Sequence, residues 1–172
     1  MAVLHYSITR TVKPTSCPVQ IGQVKKSCDI AESDRSHDEE IGFLIEQAVE
    51  AVENEAQRSL LTQTWRLTLD EFPPDSMGDV ELKKGPIASV TSVKYDDADG
   101  VEQTFSDFEL DSGKEVIRPQ YDKCWPTPRV HPGSVRITYV AGTALPSVPK
   151  SAIQAIVYYA CKAFEGCSPH DK

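Results

Sequence analysis

Several features that would place this chain in a common class are missing from its 172 residues. No run of about 18 apolar residues occurs, so a membrane-spanning helix is excluded. The N-terminal segment lacks a charged start followed by a long apolar run, so no secretory signal is visible. Basic residues are in the minority, with 18 Lys and Arg against 26 Asp and Glu.

The resulting net charge of −8 argues against a protein that binds nucleic acid through its phosphate groups. Such a protein needs a cationic surface. An acidic surface is compatible with DNA that slides past without sticking, because like charges repel. The charge is also compatible with a protein that is simply kept soluble by it.

Cysteine and histidine show no metal-binding pattern. The chain has five cysteines, an odd number, with no CxxC pair, and its four histidines are scattered. We therefore expect neither a zinc site nor a disulfide framework. The cysteines are predicted to be free thiols in a reducing cytoplasm, most of them buried as small hydrophobic side chains. They are Cys17, Cys28, Cys124, Cys161 and Cys167.

Catalytic signatures are also missing. The sequence contains no GxSxG elbow, no HExxH, no GxxxxGK[ST] loop and no GxGxxG. We predict no catalytic residues, no cofactor and no metal ligands. A structural or binding protein is favoured over an enzyme.

The N-terminal third predicts an arm followed by helices. Residues 1–20 form an extended arm, too poor in apolar residues to fold alone, which must lie on the body of the protein or on a neighbouring subunit. Residues 18–60 form a helical part, with a short helix over about 18–29 and a longer one from a cap at Ser36 or Asp38 to about Ser59. Apolar residues at helical spacing define the buried stripe of the longer helix: Ile41, Leu44, Ile45, Ala48, Val52, Ala56 and Leu60.

The opposite face of the longer helix is densely acidic, with Glu46, Glu50 and Glu53 at its centre. One interpretation is a solvated face. The other is a surface turned toward a channel, an adjacent subunit or a basic partner.

Residues 61–142 predict a β-rich block of six or seven short strands, because apolar residues alternate with threonines and charges. The DDADG segment at 96–100 predicts a tight hairpin turn. A calcium loop is the alternative, but with Gly100 as its sixth residue the first and twelfth positions hold Tyr95 and Ser106, which do not suit calcium.

A proline-rich loop and a helix complete the chain. The loop over 119–133 has four prolines and Trp125. It is an ordered loop if Trp125 is buried and a docking loop if Trp125 is exposed. A helix within 147–166 follows, with Ser147 as a candidate cap and Gly166 at its end, before a polar tail over 167–172. The predicted fold class is α+β, a small α-helical core of two N-terminal helices and one C-terminal helix, with an inserted antiparallel β-rich block.

The order of these segments resembles a known family, the head–tail connector (adaptor) proteins of tailed bacteriophages, in the branch with a β-rich insertion. The likeness covers about residues 18–166. It is carried by LLTQTW at 60–65, PIASVTSVKYDDADG at 86–100, WP at 125–126, VRITYVAG at 135–142 and VP at 148–149.

The resemblance implies a structural virion protein of the neck, assembled in the host cytoplasm. About twelve copies would form a ring below the portal protein, closed by head-to-tail contacts. The ring would extend the DNA channel, help to retain the genome and present a docking surface to a tail terminator or tail-completion protein. DNA would pass without specific binding, no membrane is involved, and short edge strands are suited to pairing across subunits.

Three contact regions follow as hypotheses. The acidic helix would face the lumen or an adjacent subunit. The arm would clasp a neighbour through Leu4, Tyr6 and Ile8. Trp125, Phe164 and His170 would mark portal or tail contacts. The alternatives are another neck or tail component such as a tail terminator, a monomeric β-rich binding module, and an unrecognised hydrolase.

Overall fold

The computed structural model describes residues 6–74 and 77–167, the last of these by its backbone alone. The chain forms two compact units: a β-rich unit of residues 1–14 and 62–143, and a helical unit of residues 15–61 and 144–172. The antiparallel strands and three helices confirm the predicted α+β fold class.

The β-rich unit contains eight strands in the described part of the chain, seven of them within the predicted β-rich block. They are β1 Tyr6–Val12, β2 Gln63–Leu69, β3 Val80–Glu81, β4 Ile87–Asp96, β5 Glu102–Phe105, β6 Phe108–Asp111, β7 Val116–Pro119 and β8 Val135–Ala141. The larger sheet has the order β1-β2-β8-β4-β5 and the smaller one β3-β7-β6. Every strand pair is antiparallel.

The core of the β-rich unit follows from strict alternation along its central strands. In β8, Val135, Ile137 and Tyr139 are completely buried, whereas the residues between them are half-buried on the opposite face. β2 alternates in the same way. Val80 and Ile117 of the smaller sheet join the same hydrophobic cluster, so the two sheets enclose one core. Burial also raises the pKa of Tyr139, whose hydroxyl donates to the Lys83 carbonyl oxygen at 2.8 Å.

The DDADG segment forms the predicted hairpin turn between β4 and β5. The backbone N–H of Gly100 donates to the Asp97 carbonyl at 2.9 Å. The Asp97 carboxylate accepts the N–H groups of Asp99 and Val101. Gly100 has a φ of +80°, a conformation in which a Cβ would lie 2.6 Å from Arg129. The acidic side chain therefore stabilises the turn itself.

The helical unit is made of α1 Ile21–Ser27, α2 Asp38–Ala56 and α3 Lys150–Cys167, with a 3₁₀ turn at Leu145–Ser147. Their apolar faces form one cluster that includes Val24, Ile41 and Ile156, all fully buried. Within the described residues, no helix has the length and apolarity that crossing a bilayer requires.

Predicted capping at the helix ends is wrong in detail. His37, not Ser36 or Asp38, precedes α2, and it makes no side-chain cap. Asp38 instead forms an ion pair with the buried Lys25, and its pKa is lowered chiefly by that hydrogen bond. Ser147 belongs to the 3₁₀ turn, while the Pro149 carbonyl accepts hydrogen bonds from the N–H groups of Ala152 and Ile153 in α3. Helix α3 also runs through Gly166.

The cysteine prediction is also wrong. Cys28, directly after α1, is joined by a disulfide to Cys161 of α3, across 133 residues of sequence. Cys17 and Cys124 are free but exposed, not buried. No local spacing signals this pair, because packing of α1 against α3 brings the two cysteines together.

Candidate assembly surfaces

The exposed acidic face of α2 is smaller than the sequence predicted. Glu46 and Glu50 are exposed about one turn apart. Glu53 is only 4% exposed, and its Oε1 accepts a hydrogen bond from the Leu60 backbone N–H at 2.7 Å. The chain leaves the helix at Gln57 in the left-handed conformation, which returns Leu60 to within reach of the Glu53 carboxylate. Glu53 is therefore part of the fold and not of a lumen or subunit face.

Phe43 lies on the same solvent-facing strip as Glu46 and Glu50, three and seven residues before them, and is 59% exposed. Glu39 lies one turn earlier on that strip and is also exposed. Sequence reasoning missed Phe43, although its place outside the stripe of Ile41, Leu44 and Ile45 is a readable signal. Aromatic side chains are enriched at protein interfaces, where polar residues lie at the rim.

The N-terminal arm pairs with the sheet of its own chain. Strand β1 runs antiparallel to β2, with Tyr6 opposite Leu69 and Ile8 opposite Leu67. Ile8 is half-buried against the core, whereas Tyr6 is 56% exposed with the Lys83 ammonium 5.8 Å from its ring centre. Leu4 lies outside the described residues. Of the two described residues, Tyr6 therefore has the larger exposed fraction.

Trp125 is a core residue. It is 6% exposed, its ring stacks on Phe72 at 4.6 Å, and it contacts Phe105 at 5.2 Å. Its indole N–H donates to the Gly78 carbonyl at 2.8 Å. The predicted choice between a buried and an exposed Trp125 is resolved in favour of an ordered loop, so Trp125 does not itself offer a portal or tail contact.

The Trp125 loop nevertheless presents apolar side chains to solvent. Tyr121 is 90% exposed and Val130 is fully exposed. The backbone between them is held at Arg129, whose N–H donates to the Asp96 carbonyl at 2.8 Å. Neither side chain was singled out from the sequence, because a proline-rich segment does not reveal which residues point inward.

Phe164 is also buried, at 9% exposure, with its ring 5.3 Å from the His37 ring in an edge-to-face contact. It belongs to the hydrophobic cluster of the helical unit and offers little surface to a partner. His170 lies outside the described residues.

An ionic network lies on the outward face of the larger sheet. Arg136 bonds to the carboxylates of Asp96 and Glu102, and Lys94 donates to Glu102 at 2.6 Å. The Arg136 hydrogen bond lowers the pKa of Asp96, and the Lys94 hydrogen bond is the main cause that lowers the pKa of Glu102. These charges link the neighbouring strands β8, β4 and β5.

Among residues 6–74 and 77–167, no three His, Cys, Asp or Glu side chains cluster as a metal site would require. No family model and no curated protein sequence matches the chain.

Solved structures do match. A chain from the neck of an empty gene transfer agent particle, computed with C6 symmetry, superposes with a TM-score of 0.76 at 20% identity, over 96% of this chain and 86% of its own. A chain of the virion of a native gene transfer agent particle superposes with a TM-score of 0.75 at 19% identity, with the same coverage. A chain from the neck of a native gene transfer agent particle, computed with C12 symmetry, superposes with a TM-score of 0.65 at 22% identity. The match covers 94% of this chain and 86% of the other.

The likeness to phage neck proteins that the sequence indicated is therefore confirmed at the level of the fold. Over nearly its whole length, this chain is similar in fold to chains of the neck and virion of gene transfer agent particles.

Proposed function

We propose that this chain is a structural component of the neck of a phage-like particle, a head–tail connector that forms a ring below the portal. The single observation that carries the proposal is the shared fold over 96% of the chain, covering both units, with a chain of a gene transfer agent neck. At 20% identity, what the two chains share is the fold.

In this role the chain extends the DNA channel, helps to retain the genome and gives the tail terminator or tail-completion protein a docking surface. It has no catalytic part to play. The net charge of −8 supports a ring past which DNA slides without binding.

The experiment is imaging of particles that carry the chain with a small density label at its C-terminus. The label is expected in the collar between capsid and tail, repeated around one axis. A label on the capsid shell or the tail tip, or a purified chain that stays monomeric with its portal, would contradict the proposal. The second of these outcomes favours a monomeric binding module.

We also propose that the outer strip of α2 contacts a protein and not the DNA. Phe43 supports this choice between the two alternatives, because a DNA backbone offers no apolar partner to an exposed phenylalanine, whereas a neighbouring subunit does. Glu46 and Glu50 would then meet a basic surface of the adjacent protein.

Charge reversal tests this assignment. Both variants, E46K/E50K and F43A, are expected to weaken binding to the adjacent protein of the neck. Both are expected to leave the fold intact. A matched control, E71K/E109K, changes the net charge equally at exposed positions of the β-rich unit. The opposite outcome is that E46K/E50K traps DNA in the channel while F43A changes neither binding nor DNA passage. In that case the strip lines the lumen.

A further inference from the structure

The larger sheet has two uncovered edges. Strand β1 is at one end of the order β1-β2-β8-β4-β5, strand β5 is at the other, and neither pairs with a further strand among residues 6–74 and 77–167. The edge side chains are mostly exposed along both strands. Backbone N–H and C=O groups along such an edge are a template for pairing with another chain.

Most of the usual edge protection is missing from the first half of β1. The register with β2 is regular from Tyr6 to Arg10 and shifts only between Arg10 and Val12. Neither proline nor charge occurs from Tyr6 to Thr9. The protective features, a charge on the inward face and an irregularity, are confined to the end of the strand.

The two edges run in the same direction. Each of the four neighbouring pairs in the sheet is antiparallel, so four reversals return β5 to the direction of β1. A second copy added by a rotation that keeps the sheet faces aligned therefore places its β1 parallel to β5 of the first. Each addition again leaves one free β1 and one free β5, which is the condition for a head-to-tail ring.

The pairing register also shows which residues of the two edges are level. One row across the inward face runs Ile8–Leu67–Ile137–Val93–Phe105, and the next row on the outward face runs Ser7–Thr68–Arg136–Lys94–Thr104. Both ends of the apolar row, Ile8 and Phe105, are only half-buried. Joining β1 to β5 would set Ile8 of one copy beside Phe105 of the next and continue the apolar row across the joint.

The two edge strands carry charges of opposite sign, Arg10 in β1 and Glu102 in β5, so their pairing brings no like charges together. The two charges lie at opposite ends of the joint, because Arg10 follows Ile8 by two residues whereas Glu102 precedes Phe105 by three. A second pairing of the edges, β1 with β1 in an antiparallel dimer, would set two copies of the Arg10 charge in one small contact.

We propose that copies of this chain assemble head to tail through their sheet edges, with β1 of one copy pairing in parallel with β5 of the next, Ser7 level with Thr104. The inference rests on the proposed ring and names its contact. Because β5 has only four residues, each single contact is weak, and the ring gains its stability from closure.

The test is covalent trapping in the full chain. In a background with Cys17, Cys124 and Cys167 replaced by serine, S7C/T104C is concentrated to the millimolar range and treated with a short bis-maleimide linker. Within one copy the two positions are four strand spacings apart, about 19 Å, beyond the reach of a short linker. Covalent ladders longer than a dimer are expected.

Three controls accompany this variant. S7C alone and T104C alone cannot give products larger than a dimer. S7C/S89C moves the second cysteine from the edge strand to exposed Ser89 on β4 and is expected to give no ladder. Adding lysine at the edge by Q103K in the S7C/T104C variant, which keeps both cysteines, is expected to abolish the ladders, with native tryptophan fluorescence showing that the unit still folds.

Failure of the inference and failure of the proposed function are distinguishable. No ladder from S7C/T104C at high concentration, or a strong dimer from S7C alone, overturns the edge contact. If the C-terminal label still lies in the neck, the proposed function stands and a different surface joins the copies. If the label lies elsewhere as well, both are wrong.

Discussion

The two units of the chain are stabilised by different kinds of contact. In the β-rich unit, a two-residue alternation along β2 and β8 buries one face against a single apolar cluster. In the helical unit, α1 and α2 pack with the distant α3, and polar and covalent contacts add to those of their apolar faces. Those contacts are the buried Lys25, the buried Glu53 and the Cys28–Cys161 disulfide.

This difference shows where substitutions should act. A sheet core with many similar apolar neighbours is sensitive to lost volume. A helix cluster held by a few specific polar groups is sensitive to single charges and to the redox state. Trp65 and Trp125, the chain's two tryptophans, are both in the β-rich unit, so tryptophan fluorescence reports that unit, while circular dichroism at the helix band reports mainly the other.

The largest effect is expected from W125A. Removing a buried indole that stacks on Phe72 and bonds to Gly78 should lower the free energy of unfolding by about 3–5 kcal/mol. Urea unfolding followed by fluorescence of Trp65 measures it. The control Y121A, in the same loop but exposed, should change stability by less than about 0.5 kcal/mol. Equal effects of the two variants would mean that Trp125 does not belong to the core.

Reduction of the Cys28–Cys161 disulfide is expected to act on the helical unit. The loss should be about 2–4 kcal/mol, because the unfolded chain regains the freedom that the cross-link removed. The helix-band transition should move to lower urea while the fluorescence transition stays in place. C124S, which removes an exposed free thiol, is the control. Coincident shifts of both transitions would show that the two units unfold as one.

A smaller effect is expected from E53A. The Leu60 N–H loses its acceptor in a buried position, which should cost about 1–3 kcal/mol. E53Q keeps an acceptor oxygen and should recover part of the loss. The exposed neighbour variant E50A should be nearly neutral in the same helix-band measurement. If E50A and E53A behave alike, Glu53 faces solvent as the sequence first suggested.

The smallest expected effect is a loss of stability of the β-rich unit at acid pH. Because the pKa of Asp96 is lowered in the folded state, its contribution is present above the ordinary value of 3.8 and is lost as the pH falls below it. Stability measured by fluorescence should therefore decline in this acid range, and D96N should reduce the decline. D99N, in the same turn, should leave the decline as it is. If the stability of D96N declines at acid pH as much as that of the unsubstituted chain, the contact between Asp96 and Arg136 is not the source of the decline.

Strand positions were largely predictable from the sequence, because side chains alternate between two faces and burial follows that period. The same holds for the apolar stripes of α2 and α3. Glu53 was misassigned because helical spacing alone placed it with Glu46 and Glu50, and the left-handed turn at Gln57 that buries it is a property of the backbone path. Trp125 could not be assigned either way, since a proline-rich loop carries no period.

Local pattern alone determined which segments are strands and helices, that the chain is acidic, and the likeness to phage connector proteins. Long-range packing decided other features: the Cys28–Cys161 bond, the burial of Lys25 and Trp125, the exposure of Tyr121, and the two open edges at β1 and β5. The physical reason is distance along the chain. Periodicity reports contacts within a few residues, whereas these features depend on groups brought together from separate segments.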